Sequence, residues 1–461
     1  MTTMTQGLPG TGVPGGGVFT GDSHALHRLV LDVRAGRVPA YASSACLAHR
    51  ELAGLLDGRT ERLSPSAPDS VFHREERDGR PGGRRPVPFL PKARLLTPAE
   101  QRVAAEAFAR TLVTGELTSG PAAATFEAAL ADFTGLRTTA TSSGTDGLIV
   151  ALRAVGVEPG DEVIIPANSF AATENAVLAC GAVPVLADVE PERHTLDPVS
   201  AGAAVTSRTR AVLPVHLYGR LADMAALRRT ADAHGLRVVE DACQAIGVTG
   251  VARHSDAAVV SFNPYKNFGL TGKAGAVLTA DGELAARVRA VAYHGFHPDR
   301  KNVKTEPWGL NARIDNPVAS VAMGLLPGLT LKNYRRAFLA ERYVTGLAEL
   351  HAAGLLTLPA FTPDHAWHLF TVRVPGGPAE RERIRARVRE DGGVETDVYY
   401  PVLTHQQRTS LHERLFSRSR LPHTEELHTT AFQIPLHNQL SLTEQDRVIE
   451  ALHAAVRTTA H

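Results

Sequence analysis

The chain reads as an α/β protein built on a mainly parallel sheet, and three observations predict it. Apolar segments of strand length recur between residues 162 and 280. Amphipathic helical patterns fall between most of them. The strand segments are apolar throughout rather than alternating, as strands covered on both faces are. The strand candidates are 162–166, 184–189, 211–217, 237–241, 257–262 and 275–280, and the clearest helical patterns between them are 144–155, 224–234 and 283–293.

Regular structure opens at Thr97-Pro98-Ala99-Glu100, a capping-box sequence with proline at the first helical position. Past Pro327 the texture changes. A long amphipathic helix carries Leu331, Tyr334, Phe338 and Leu347 and stops at Gly354. A strand at 367–374, a charged helix at 378–391 and a strand at 394–399 come next. A last helix starts near Ser441, with Glu444 as its box partner. The predicted division is an N-terminal extension (1–85), a large α/β domain (86–328) and a small α+β domain (329–461). In the extension, residues 7–17 are rich in Gly and Pro and bury little. Leu26, Leu29, Val30 and Val33 share one helical face that Gly36 closes, and a second short helix is predicted over 44–58. Residues 59–88 read as a linker. The basic cluster Arg80, Arg84, Arg85, Lys92 and Arg94 sits among mixed charges, as a solvated surface does.

A chain of 461 residues calls for two or three domains. With 49 basic against 48 acidic residues the net charge is +1, which implies no nucleic-acid partner. No apolar run approaches the roughly 18 residues of a membrane span, and the first residues lack a signal-peptide pattern. Cys46, Cys180 and Cys243 have neither metal spacing nor the number for a disulfide framework, so a cytoplasmic location is expected. His365, Trp367 and His368 do not match a zinc motif, and no metal is expected.

Two strand ends carry the chemistry. Lys266 lies in Ser261-Phe262-Asn263-Pro264-Tyr265-Lys266-Asn267-Phe268-Gly269, just after the apolar stretch 257–260. An amine delivered into an aromatic-flanked turn loses solvation and is suited to form a Schiff base. Upstream, Val238-Val239-Glu240-Asp241-Ala242-Cys243-Gln244 ends a strand in acidic residues. A charged carboxylate at the end of an apolar strand needs a partner. That partner is either a structural cation or cap, or the ring nitrogen of pyridoxal phosphate, which needs an imine-forming amine and an anion together. Ser142, Ser143, Gly144 and Thr145 join a strand to a helix. They serve either as a plain cap or as a phosphate cradle at a helix N-terminus. Phe170 comes after the next strand and either packs in the core or stacks on a pyridine ring. Gln244 is placed to donate to a ring oxygen, and Ser261 to reach the phosphate.

These runs together resemble the DegT/DnrJ/EryC1/StrS family of sugar aminotransferases, from about residue 86 to the end. The markers are Thr118-Ser119-Gly120-Pro121, Ser143-Gly144-Thr145, the run 166–173, Pro214-Val215-His216-Leu217-Tyr218-Gly219, Glu240–Gln244, Ser261–Gly269, His294-Gly295 and Gly309-Leu310-Asn311-Ala312-Arg313. The resemblance implies a fold-type I pyridoxal-phosphate transferase, with a mainly parallel seven-stranded sheet in its large domain. By matching position it implies Lys266 as the covalent lysine and proton shuttle, Asp241 at the ring nitrogen, Gln244 at the ring oxygen and Phe170 on the ring. Ser143, Gly144, Thr145 and Ser261 would hold the phosphate. Asn311 would reach the phosphate of the neighbouring subunit's cofactor in a homodimer with shared sites. His216 and Tyr218 would lie near the floor of the site, and Arg94, Lys301, Lys304 and Arg313 are candidates for the substrate's phosphate.

Pro88–Pro91, His365-Ala366-Trp367-His368-Leu369-Phe370 and Thr396–Pro401 add a likeness to the subgroup acting on 3-dehydro-glucose 6-phosphate, which also carries a long N-terminal extension. The activity implied is transfer of the amino group of glutamate to that ketosugar, giving kanosamine 6-phosphate for antibiotic biosynthesis. A nucleotide-linked ketosugar or keto-cyclitol is the alternative acceptor. Family members acting as sugar 3-dehydratases replace the lysine by histidine, and Lys266 argues against that chemistry. The alternative of another class is a catalytically silent cofactor-binding regulator, but the first 85 residues offer no helix-turn-helix with a basic reading face. Two departures stand out: Ala274-Gly275 where the family has two glycines, and Ser255-Asp256 where it has Gly-Asp.

Overall fold

The computed structural model describes residues 85–297 and 300–457. The two helices expected near the N-terminus, Arg80 and Arg84 lie outside the described residues. In order, the elements leading into the sheet are α1 (Pro98–Thr114), α2 (Pro121–Thr134), β1 (Arg137–Thr141), α3 (Gly144–Ala154), β2 (Glu162–Pro166), α4 (Ala171–Ala179) and β3 (Val183–Ala187). Next come α5 (Pro198–Ala203), β4 (Thr209–Val212), α6 (Met224–Ala233), β5 (Arg237–Asp241), β6 (Ala257–Ser261), β7 (Gly275–Thr279), α7 (Gly282–Val291) and α8 (Asn316–Leu325). Thr97 opens α1 as its sequence predicts: its hydroxyl accepts from Glu100 N (3.2 Å), while Glu100 Oε2 accepts from Thr97 N (2.8 Å).

The strands form one seven-stranded sheet in the order β1-β7-β6-β5-β4-β2-β3. Strands β3, β2, β4, β5 and β6 are parallel, and β7 is antiparallel to both β6 and β1. The connection from β6 to β7 contains no helix, and a parallel crossover needs one or an equally long link. The chain therefore folds straight back, pairing Ser261 with Gly275. Lys266 sits on this return loop, which is pinned where Phe262 N donates to Ala274 O (2.8 Å) and Leu270 N to Phe262 O (3.1 Å). Apolar clusters lie on the faces of the sheet, one joining Phe126, Phe262 and Phe268 and another joining Leu148, Val163 and Val239.

The C-terminal part contains α9 (Leu329–Gly346), α10 (Ala348–Ala352), β8 (Phe370–Arg373), α11 (Gly377–Glu390), α12 (Ser410–Phe416), α13 (Pro422–Thr430), β9 (Ala431–Ile434) and α14 (Leu442–Arg457). β8 and β9 pair antiparallel over a core of Tyr343, Trp367, Phe370 and Phe432. Three sequence readings change here. The long helix ends at Gly346, and Leu347 lies between it and α10. The strand expected at 394–399 is reduced to single bridges, Val87 to Val394 and Asp397 to Gln433. Its place beside β8 is taken by β9. Val87, grouped by sequence with the large domain, packs into this C-terminal core.

Asp188 ties the two parts together. Its carboxylate accepts from His423 N (3.0 Å), Thr424 N (2.8 Å) and Thr424 Oγ1 (2.7 Å), capping α13 from the large sheet's side. Burial alone would raise this carboxyl. The donors from Thr424, His423 and Val189 outweigh it and hold it below its usual value. A depressed carboxylate contributes stability that is full above its unfolded value near 3.9 and is lost as pH falls through the folded value. Asp188→Ala is expected to cost about 1 kcal/mol of stability at neutral pH. Thermal melts of the two proteins should converge as the pH drops below about 4.

Candidate active site

The carboxyl ends of the parallel strands lie on one edge of an open sheet, where ligands bind. Asp241 is the last residue of β5 and Ser261 the last of β6, while β2 leads into Asn168 and Phe170. β1 opposes β7, which opposes β6, so β1 also ends at this edge and delivers Ser143 and Gly144 there.

Ser143 caps α3: Asp146 N donates to its hydroxyl (3.0 Å), which donates to Asp146 Oδ2 (2.7 Å). Gly144 sits hard against the neighbouring strands. A Cβ on it would lie 2.9 Å from both Cys243 Sγ and Ser261 Cβ, and one on Gly275 would lie 2.7 Å from Gly144 N. This leaves the first turn of α3 bare next to the Ser261 side chain, which is the shape of a phosphate cradle. The second glycine of the family pair is the one this contact needs. The first is Ala274, accommodated in the core. Gly144→Val is expected to cost about 1–3 kcal/mol by overpacking, read as a lowered melting temperature.

Asp241 is 6% exposed and both its oxygens are directed. Oδ2 accepts from Thr173 Oγ1 (2.9 Å) and Oδ1 from Cys243 N (3.2 Å). Thr173 spends its hydrogen on Asp241, so Ser169, 2.6 Å away, donates to Thr173. The carboxylate keeps lone pairs for one more donor. Phe170, the N-cap of α4 and three residues before Thr173, is 59% exposed and tilted against Tyr400 at 5.8 Å. The core placement is thus excluded, and an aromatic face stands open beside Asp241.

Lys266 is brought to the same group. Burial pushes its amine below the usual lysine value, opposed by Cys243 and Asp241. The Cys243 thiol is pushed well up by burial and then by Asp241, so it stays neutral. His368 is pushed well down by burial and then by Lys266, leaving a neutral ring. Its Nδ1 lies 3.1 Å from Asn267 Oδ1 and donates to it, while Asn267 Nδ2 donates to Asn333 Oδ1 (2.9 Å) and Ala366 O (2.8 Å). This buried network fixes the residue next to Lys266.

Gln244 is anchored at both ends: Oε1 accepts from Tyr218 N (2.7 Å), and Nε2 donates to Tyr400 Oη (3.2 Å) and keeps a second hydrogen. Tyr218 Oη donates to Tyr399 O (2.8 Å), and burial pushes its phenol up to about 12. His216 lies beside Asp241, its N donating to Asp241 O (3.0 Å), but its ring is engaged by other groups. It is fully buried, Nε2 lies 3.0 Å from Glu240 Oε2 and Nδ1 accepts from Ala222 N (3.2 Å), so neither nitrogen faces a ligand. Arg94 is held bidentately by Glu444 (2.8 and 3.1 Å) but does line a cavity with Lys266. Lys301 and Asn311 are exposed, Lys304 donates to Pro307 O (3.2 Å), and Arg313 lies 3.5 Å over the Tyr293 ring. Among the described residues, none of these four contacts Lys266 or Asp241 within one chain.

Sequence reasoning missed Thr173, Asn267 and Tyr400. The available signal for Thr173 was its spacing, one helical turn beyond Phe170.

Residues 98–453 match the model of the DegT/DnrJ/EryC1/StrS aminotransferase family. The 3-oxo-glucose-6-phosphate:glutamate aminotransferase of Bacillus subtilis (strain 168) is 45% identical over 372 residues, covering 80% of this chain and 84% of that protein. The dTDP-3-amino-3,4,6-trideoxy-alpha-D-glucose transaminase of Streptomyces venezuelae is 40% identical, covering 79% of this chain and 95% of that protein. A crystal structure of NtdA from Bacillus subtilis with bound cofactor PMP superposes with a TM-score of 0.85 at 39% identity, covering 95% of this chain and 99% of that one. A strand-end lysine and carboxylate on this sheet, together with a family match spanning most of the chain, lead to one conclusion: the chain belongs to the DegT/DnrJ/EryC1/StrS aminotransferase family.

Proposed function

We propose that the protein is a pyridoxal-phosphate-dependent aminotransferase that moves the amino group of glutamate to 3-oxo-glucose 6-phosphate, giving kanosamine 6-phosphate. The observation carrying the reading is the pairing of desolvated Lys266 with a directed Asp241 at one sheet edge. The residues fit the cofactor: a bare helix turn at Gly144 beside Ser261 for its phosphate, Asp241 for its ring nitrogen, Gln244 for its ring oxygen and the open face of Phe170 for its ring. Bound there, pyridoxal phosphate supplies the electron sink that lets the α-carbon of the amino donor lose a proton.

The chain's own groups do the rest. Lys266 Nζ would hold the cofactor covalently, and its free amine would carry the proton between the donor's α-carbon and the cofactor side. With the ketosugar as partner, the same amine runs the transfer in reverse. Asp241, held by Thr173 and Cys243 N, would stand as the carboxyl partner of the ring nitrogen. His368, neutral and bonded to Asn267, adds no competing positive charge near Lys266. The backbone at Gly144 and Thr145 and the Ser261 hydroxyl would anchor the phosphate, with the Ser143 hydroxyl committed to Asp146 as the helix cap. Asn311 lies on the exposed surface, and in a homodimer it would reach the neighbouring subunit's cofactor. A cytoplasmic setting fits free Cys180 and Cys243.

Mixing the purified, cofactor-loaded protein with glutamate tests the reading. Loss of the yellow colour with release of 2-oxoglutarate is expected. Colour that persists at saturating glutamate sinks it. A panel of ketosugars, phosphorylated, nucleotide-linked and cyclitol, then separates the acceptors by kcat/KM.

A further inference from the structure

A row of four aromatic rings runs from the protein's interior into the open side of the active site. Phe89 packs against Tyr399 (ring centroids 5.9 Å apart), Tyr399 against Tyr400 (5.2 Å) and Tyr400 against Phe170 (5.8 Å). The two ends differ. Phe170 is exposed, whereas Phe89 is 8% exposed and packs with Val215, Leu217, Tyr218 and Leu369. Tyr400 is the ring that meets the chemistry: its hydroxyl accepts from Gln244 Nε2 (3.2 Å) and its ring leans on Phe170. Burial, then Tyr218, Asp241 and Tyr399, push that phenol well above its usual value, so it stays neutral.

The backbone leading to Tyr400 is held by single bridges rather than by a strand. Asp397 pairs with Gln433, and Val394 with Val87. The second bridge comes from the N-terminal segment, which lies ahead of the family match beginning at residue 98. There Val87 N donates to Gly393 O (2.8 Å), Glu395 N to Val87 O (2.9 Å) and Phe89 N to Glu395 Oε2 (3.1 Å). On the far side, Tyr399 N donates to Gln433 Oε1 (2.8 Å). These bonds fix backbone; the Tyr400 ring itself has the open Phe170 on one side and Tyr399 on the other, and Tyr399 is backed by Phe89. We infer that Phe89 is a positioning residue for the reaction: anchored through the 393–395 bridge, it backs Tyr399 and so holds Tyr400 against Gln244 and Phe170, the two groups set for the cofactor's ring oxygen and ring face. The inference rests on the aminotransferase reading above and extends its site to a segment outside the family match.

Equilibrium dialysis of the intact, cofactor-free chain against pyridoxamine phosphate, which binds without a bond to Lys266, provides the test. Phe89→Ala should weaken binding by about two- to tenfold, the range one tilted aromatic pair contributes, and Tyr400→Ala by at least as much. In the Tyr400→Ala background, Phe89→Ala should leave the dissociation constant unchanged, while it lowers the melting temperature in both backgrounds. That split separates positioning from packing, because lost core packing lowers stability whether or not Tyr400 is present. Phe89→Leu, which refills much of the space, should recover part of the affinity. Glu395→Ala, at an exposed residue, releases the Phe89 N–H without opening the core. It should weaken binding in the parent and not in the Tyr400→Ala protein, and it carries the test where Phe89→Ala does not fold. Parent-like binding by Phe89→Ala, or by Glu395→Ala where the former does not fold, overturns the inference. So does an equal loss with and without Tyr400. A parent that takes up no pyridoxamine phosphate overturns the cofactor reading itself, a result distinct from either.

Discussion

Lys266→Ala lowers turnover by roughly 10⁴-fold, the upper end of what one acid-base group contributes, because it removes both the covalent anchor and the proton carrier. The protein should still fold. Lys266 is a desolvated amine whose folded pKa lies below its unfolded value, so the unfolded chain holds the proton more tightly between the two. Stability of the cofactor-free parent therefore rises as pH climbs through that window, which lies below about 10.4. The alanine protein lacks the titrating group and should lack that rise. Comparing melts of the two cofactor-free proteins from neutral to alkaline pH separates a lost catalyst from a damaged fold. A variant that unfolds at neutral pH would show that the lysine holds the return loop together, contrary to its burial energetics.

The second large effect is at Asp241. Asp241→Asn keeps the shape, and its side-chain oxygen still accepts from Thr173, but the negative charge at the ring nitrogen is gone. Turnover should fall by about 10²–10³-fold, the usual cost of removing one directed electrostatic partner. Cofactor affinity should also weaken, which equilibrium dialysis against pyridoxal phosphate reads without any turnover. An asparagine protein with near-parent kcat would place the charge elsewhere.

Much of this site is legible in the sequence because strand ends advertise themselves. An acidic residue closing an apolar strand, as at Asp241, and a lysine in an aromatic turn just after another strand have few structural explanations. What stays hidden depends on contacts distant in sequence. Thr173 reads as an ordinary helix residue until the fold sets it 2.9 Å from Asp241. Asn267 and Asn333, 66 residues apart, pair only because α9 passes behind the return loop. His216 reads as a candidate ligand because its neighbour Tyr218 does, yet Glu240 claims its ring from a different strand.

The fold shows the same pattern. Each parallel strand carries an apolar stretch that makes it visible, although β4, Thr-Arg-Ala-Val, ends at Val212 where the apolar run suggested a strand over 211–217. By contrast β1, Arg-Thr-Thr-Ala-Thr, has no apolar run and is marked by its β-branched threonines and by the Ser142-Ser143-Gly144 turn after it. β9 is four residues long and begins where α13 ends, so neither period has room to appear. The reversal of β7 comes from the absence of a helix in the Lys266 loop, a feature that apolar continuity alone does not report.

The most direct measurement is borohydride reduction of the pyridoxal-phosphate-loaded protein, then proteolysis and mass spectrometry of the peptide spanning residues 262–274. The added mass of the reduced cofactor should sit on Lys266 and vanish after incubation with glutamate. Label on another lysine, or none at all in a protein that has taken up the cofactor, contradicts the assignment on which the rest stands.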